Sequence, residues 1–231
     1  MKKHGKKFRE NVRKIDREKL YPLEEAVKLA LETSAVKFDA SVEIHVNTAT
    51  NPKHADQIIR ETVALPHGTG KVVRIAVFCE DDQIDAAKKS GADLAGKEDL
   101  IAQVSKGEIN FDIAIAQTAL MKDLAKVAKV LGPKGLMPSP KAGTVTDKIS
   151  EAVVAIKKGK IEFRNDKFGI VHSILGKVSF GEKKIAENFR EFFRALTDAK
   201  PSGCKSALVK KIFLTTSMGP AVGVEIGSLV E

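Results

Sequence analysis

An α+β domain interrupted by an inserted α/β domain is the architecture this 231-residue sequence predicts. Three observations lead there. Strands of alternating polarity lie toward both ends of the chain, around residues 41–47 and 161–175. Between them, short strands too apolar to have a wet face alternate with helical stripes, as in a mainly parallel sheet. The pattern changes at two glycine-containing crossings, Gly68 to Gly70 and Gly159. The predicted domains are residues 1–67 with 160–231, and residues 68–159. One continuous mixed sheet is the alternative arrangement.

Each element has its own local reason. Met1 to Arg9 is a short basic arm. Leu23, Ala26, Val27, Ala30 and Leu31 repeat at helical spacing. In Ser41 to Asn47, Val42, Ile44 and Val46 alternate with Glu43 and His45, which fall on the wet face. A second strand is expected near Ile58 to Leu65. Lys71 to Phe78 is rich in β-branched residues, and Asp81 and Asp82 are candidate caps for a helix ending at Gly91. A strand at Ala92 to Leu94, a helix at Lys97 to Ser105 and a strand at Phe111 to Ala116 follow. Leu120, Leu124, Val127, Ala128 and Leu131 form the next helical stripe. Leu131 to Gly143 carries too much Pro and Gly for regular structure. A helix from Ile149 stops at Gly159. Ile161 to Arg164 alternates again, Asn165 to Gly169 resembles a hairpin turn, and Ile170 to Leu175 returns as a strand. Ile185, Phe189, Phe192, Phe193 and Leu196 stripe the last helix. Two strands flank Thr216-Ser217-Met218-Gly219-Pro220. Gly68, Gly70 and Gly159 suit a hinge, because Gly absorbs changes in φ and ψ.

Composition narrows the function. Hydrophobic residues make up 43% and charged residues 30%, with net charge +9 and pI ≈ 9.4. A core can form, and the charge favours a polyanionic partner. No apolar stretch approaches the roughly 20 residues of a spanning helix, and no hydrophobic segment follows the basic arm, so neither a membrane partner nor a signal peptide is expected. Cys79 and Cys204 belong to no CxxC motif and fit thiols in a reducing cytoplasm. Aromatics at 5% argue against single-strand binding by base stacking.

Enzymatic signatures are missing. Gly68-Thr69-Gly70-Lys71 lacks the upstream Gly of a phosphate loop, and Val72 stands where it needs Ser or Thr. No G-x-G-x-x-G follows the first strand of the insert, where Cys79-Glu80-Asp81-Asp82 would repel a pyrophosphate. His4, His45, His54, His67 and His172 show no ligand spacing, so no metal or cofactor is expected. A Rossmann-type nucleotide-using enzyme and a basic DNA-binding protein remain the rival readings. The first lacks its glycine fingerprint and the second a recognition helix.

The constructive signal is distributed. Lys37, Arg164, Lys167, Lys177, Lys210 and Lys211 all belong to the outer domain. Lysines would hold phosphates, while hydroxyls and backbone groups would meet 2′-hydroxyls. Thr215-Thr216-Ser217-Met218-Gly219-Pro220 offers three hydroxyls and a Gly that allows close backbone approach.

Lys37-Phe38-Asp39, Leu65-Pro66-His67-Gly68, Leu131 to Pro138, Pro140 to Val145, Ile161 to Lys167 and Thr216 to Pro220 resemble the family of the first large-subunit ribosomal protein, in its bacterial form. The resemblance covers nearly the whole chain. It implies a non-enzymatic protein of the mobile stalk, cytoplasmic and monomeric when free. Such a protein binds large-subunit rRNA in the ribosome, assists release of exit-site tRNA and represses its own operon by binding the mRNA. It also implies a split β-α-β outer domain, an antiparallel sheet with helices on one face, and a Rossmann-like insert without a nucleotide. Carried over by position, the RNA contacts fall on Lys37, Phe38, Ser41, Glu43, Lys167, His172, Thr216, Ser217, Met218 and Gly219. Three departures stand out: Gly223 replaces a basic residue in the last strand, Ile226 to Glu231 is apolar and acidic, and Cys79 to Asp82 is acidic.

Overall fold

The computed structural model describes residues 5–204 and 206–227. The start of the basic arm, residues 1–4, and the tail from Ser228 lie outside them. In chain order the helices and strands are Lys6–Val12 (α1), Leu23–Glu32 (α2), Ser41–Thr48 (β1), Arg60–Ala64 (β2), Ile75–Phe78 (β3), Ile84–Lys89 (α3), Leu94–Gly96 (β4), Glu98–Ser105 (α4) and Ile113–Ala116 (β5). Met121–Leu124 (α5), Ala128–Leu131 (α6), Ile149–Lys157 (α7), Lys160–Arg164 (β6), Ile170–Lys177 (β7), Gly181–Asp198 (α8), Val209–Thr216 (β8) and Val222–Val224 (β9) complete them. The chain divides into two compact units. One runs to Gly70 and resumes at Ile161, and the other is Lys71–Lys160.

The first unit is built on a four-stranded antiparallel sheet in the order β7-β1-β8-β9. Period two decides which face is inside. Val42, Ile44 and Val46 of β1 are fully buried, as are Ile212 and Leu214 of β8 and Val222 of β9. The helical stripes close over that face. Leu23, Ala26, Val27 and Ala30 of α2 join Ile185, Phe189, Phe192 and Leu196 of α8 in the same core. The other face carries Glu43, His45 and Asn47 of β1, flanked by β7 and β8. Asn188, fully buried in the apolar stripe of α8, is the polar exception. Its side chain accepts from His67 N at 3.1 Å and donates to the Gly68 carbonyl at 2.9 Å and the Leu175 carbonyl at 2.6 Å. Those bonds satisfy it and tie the Pro66-His67-Gly68 segment to α8 and β7.

The hairpin-like turn expected at Asn165 to Gly169 forms, with Asn165 and Val171 in an antiparallel bridge and Asp166 N donating to the Ile170 carbonyl at 2.8 Å, but the strands beyond it part. β6 pairs with β2 in a separate two-stranded sheet, whereas β7 pairs with β1. The turn therefore carries the chain from one sheet to another. Asp166 shapes it by accepting from the amides of Phe168 and Ile170, each at 2.8 Å. The reason lies in a buried polar knot. Asn165 accepts from Ile59 N at 3.1 Å and donates to Thr50 Oγ1 at 3.1 Å, while Thr48 Oγ1 donates to the Gly169 carbonyl at 2.6 Å. A side chain at Gly169, where φ is 77°, would lie 2.7 Å from the Thr50 carbonyl.

The second unit holds a parallel sheet in the order β4-β3-β5. All four residues of β3 are buried and supply two cores. Ala76 and Phe78 face α4 and residues 118–131, while Ile75 and Val77 face α3 and α7. Residues 118–131 are not one helix. Two 3-10 turns, Thr118–Leu120 and Ala125–Val127, alternate with α5 and α6, yet Leu120, Leu124, Val127 and Leu131 are all buried. Asp81 and Asp82 lie in a 3-10 turn before α3, and neither caps it through its side chain.

Candidate nucleic-acid interface

The open face of the four-stranded sheet gathers most of the sequence-derived positions, in three groups along β1. At its start, Ser41 N donates to Ser217 Oγ at 3.1 Å, and Ser217 N donates back to the Ser41 carbonyl at 3.0 Å. Lys177 Nζ donates to Ser41 Oγ at 2.9 Å. β1, β7 and the turn after β8 are thereby joined at one point, across 176 residues of chain for the Ser41–Ser217 pair. Lys37 and Phe38 lie in the loop before β1, and the Phe38 ring is 62% exposed. Asp39 pins that loop, accepting from Ser179 N at 3.1 Å and Ser179 Oγ at 2.7 Å. Those two bonds hold its carboxyl below the usual carboxylate range.

The turn after β8 is tight and strained. Gly219 N donates to the Thr216 carbonyl at 2.8 Å, and Thr215 Oγ1 donates to the Gly219 carbonyl at 3.3 Å. Met218 sits in the left-handed region at φ 64°, and among the described residues no other non-glycine has a positive φ. Its side chain is nevertheless 80% exposed. An unbranched L-residue in that region costs on the order of 1 kcal/mol, and such strain concentrates at functional sites. Gly219 is required from inside the turn, because a Cβ there would lie 2.3 Å from Thr216 Oγ1. Thr216 is 2% exposed, and its hydroxyl is buried without a hydrogen-bond partner. The structure thus gives Thr216 a role in shaping the turn, while Ser217 and Met218 stand at the surface.

Midway along the face, Glu43 lies between Ile174 and Thr215, and His45 between His172 and Phe213. His45 Nδ1 and His172 Nδ1 are 2.7 Å apart. At the far end, Lys167 lies over the ring of Phe168, with Nζ 5.3 Å from its centre. Across the seven residues from Ser41 to Asn47, a strand rising about 3.4 Å per residue spans roughly 20 Å. Lys37, Phe38, Ser41, Ser217, Met218 and Gly219 therefore form one cluster, Glu43 and His172 a second, and Lys167 stands apart.

The sequence does not single out His45 as a contact, and it offers Lys177 only among the phosphate-holding lysines, not among the contacts that the resemblance implies. Period two already placed His45 beside Glu43, and the Lys177 signal was its position at the end of a strand. Ile174, 41% exposed, adds an apolar spot beside Glu43. Gly223, where a basic residue was expected, is covered by Leu20, whose side chain would lie 3.1 Å from an added Cβ. Of the hinge candidates, Gly68, Gly70 and Gly159 have φ of 64°, 71° and 102°. At Gly70 a side chain would collide with the Lys177 stem and the Phe180 ring.

The second unit offers no comparable chemistry. Strand order reverses between β3 and β5, the usual ligand position in such sheets, but Glu80, Asp81 and Asp82 follow β3 there. Among the described residues no group of three or more His, Cys, Asp or Glu could hold a metal ion, and no helix is long and apolar enough to cross a membrane.

A family model, described as the ribosomal protein L1p/L10e family, matches residues 30–220. The chain belongs to that family. The matched span reaches from α2 through the Met218 turn and so includes every element of the open face except β9. L1p/L10e membership makes this a large-subunit ribosomal protein that binds rRNA, a structural constituent of the ribosome and not an enzyme.

Proposed function

We propose that large-subunit rRNA of the mobile stalk docks on the open face of the β7-β1-β8-β9 sheet. The strained turn at Met218 carries this reading: an exposed apolar side chain held at φ 64° beside Ser217, Ser41 and Lys177. Ser217, Ser41 and the turn backbone meet sugar and phosphate groups, Lys37, Lys167 and Lys177 neutralise phosphates, and Phe38 and Met218 cover exposed bases or riboses. Glu43 and His172 line the middle, and Thr216 and Gly219 set the turn. The inserted unit, read as a Rossmann-like domain without a nucleotide, reaches exit-site tRNA and assists its release by turning about Gly68, Gly70 and Gly159. The same sheet face binds the mRNA of the protein's own operon and represses its translation. The free protein is monomeric.

The test is affinity for a large-subunit rRNA transcript and for the operon leader, with the full chain and with Lys177→Ala and Ser217→Ala. Each variant loses a polar contact, on the order of 1–3 kcal/mol for the lysine and about 1 kcal/mol for the serine. Parallel losses on both RNAs support one shared site. Wild-type affinity of both folded variants for rRNA refutes the assignment of this face.

A further inference from the structure

Four titratable side chains form a continuous chain on the open sheet face. His45 Nε2 lies 3.7 Å from Glu43 Oε2, the two Nδ1 atoms are 2.7 Å apart, and His172 Nε2 lies 3.5 Å from Asp166 Oδ2. Proton counting along that chain is restrictive. In the neutral pair, one Nδ1–H donates to the other Nδ1. One ring then points an Nε2–H at its carboxylate, while the other faces its carboxylate with a bare lone pair. One added proton, at that bare Nε2, places a hydrogen on every link from Glu43 to Asp166. A second would force two N–H groups into the 2.7 Å gap between the rings. The pair has room for one extra proton.

The surroundings set when that proton arrives. Glu43 on β1 and Asp166 in the turn before β7 attract it. Lys167 in that turn, Lys177 on β7 and Lys211, paired with Asn47 from β8, oppose it, and neutral Phe213 lies directly across from His45. With the pair neutral, the four groups carry two negative charges where a polyanion is to dock. With the proton the charge falls to one, and an imidazolium lies in the middle of the face. We propose that His45 and His172 form a proton-linked part of the RNA interface: docking of rRNA drives uptake of one proton by the pair, and affinity rises as pH falls. This rests on the reading that rRNA docks on this face. Burial first, and then the nearness of the second imidazole, hold His45 below the ordinary imidazole value against the pull of Glu43, which leaves the pair in the free protein able to take the proton up on docking near neutral pH.

Titration calorimetry of the full chain with a large-subunit rRNA transcript, at pH 6.5 in two buffers of different ionisation enthalpy, counts the protons. Fluorescence anisotropy from pH 5.5 to 8 gives the slope. The expected result is uptake approaching one proton, with affinity changing by up to about tenfold per pH unit at the steepest point. His45→Gln and His172→Gln should each flatten the profile, whereas His54→Gln, in the loop between β1 and β2, should keep the wild-type slope. Zero uptake by the wild-type protein overturns the proposal even if either variant fails to fold. So does a slope that survives in both folded variants. If rRNA binds at pH 7.5 and responds to Lys177→Ala but no proton is taken up, the interface stands and only the proton linkage falls. If rRNA binding ignores Lys177 and Ser217, both fall.

Discussion

Substituting Gly219 by Ala separates a turn built for its own geometry from a glycine kept bare for RNA. The added Cβ would lie 2.3 Å from Thr216 Oγ1 and 3.2 Å from the Thr216 carbonyl. Relief of the first contact requires a shift of roughly 1 Å, and Thr216 cannot easily give, being 2% exposed and β-branched. Overpacking of this kind costs about 1–3 kcal/mol, or about 2–4 °C of melting temperature per kcal/mol in a chain of this size. The same shift moves Ser217 and Met218, so rRNA affinity should drop by about 1–3 kcal/mol, roughly 5- to 150-fold. Thr216→Ala removes the obstructing atom. Alone it should be within about 1 kcal/mol of neutral, since the lost methyl is offset by release of a buried, unpartnered hydroxyl. The double variant should recover most of the stability and affinity lost by Gly219→Ala. Thermal melts and anisotropy with an rRNA transcript on all four proteins complete the cycle. Recovery of stability without affinity would mean that RNA itself approaches the Gly219 Cα. A Gly219→Ala protein with wild-type melting and affinity would refute the packing argument outright.

Three further outcomes are expected. If the three lysines of the face (Lys37, Lys167 and Lys177) each neutralise a phosphate, log affinity against log salt should have a slope of about −2.1 to −2.7, and an affinity insensitive to salt would contradict an electrostatic face. Replacing residues 71–159 by a short Gly/Ser linker should leave a cooperatively melting protein, because the core of the first unit draws only on residues outside that segment. Its rRNA affinity should stay within about tenfold, or 1.4 kcal/mol, of wild type, and loss of binding by the folded deletion would place the main site elsewhere. Asn188→Ala strands three backbone groups and should cost about 3 kcal/mol, seen as a fall in melting temperature of about 6–12 °C.

What the sequence disclosed follows from the range of the physics. Period two made β1 legible, because Val42, Ile44 and Val46 must share one face, and that same alternation put Glu43 and His45 outside. Helical spacing made α2 and α8 legible for the same reason. Register across long loops was not legible: nothing near Ser41 announces Ser217, and nothing near His45 announces His172. The turn at 165–169 was legible, since Asn165 and Val171 do pair across it, but the partners of the strands beyond it were not, because local turn chemistry is identical whether those strands pair with each other or with distant partners. Here the buried Asn165–Thr50 contact decided it. Residues 118–131 showed a helical stripe because 3-10 and α turns bury neighbouring spacings, so burial was readable and continuity was not. Thr216 is different, since the signal was present. The parity that buries Ile212 and Leu214 buries Thr216 as well. Asn188 lies beside the apolar stripe of α8, and only the fold shows what it bonds.

Docking of rRNA on the open sheet face is open to site-specific photo-crosslinking. A photoreactive phenylalanine analogue replaces Phe38, exposed beside β1, or Lys183, exposed on the helical side of the same unit. Each full-length protein is irradiated with a large-subunit rRNA transcript, and the crosslinked RNA is quantified. Strong crosslinking from position 38 and background from position 183 are expected. Crosslinking from position 183 with none from position 38 would contradict docking on the open face.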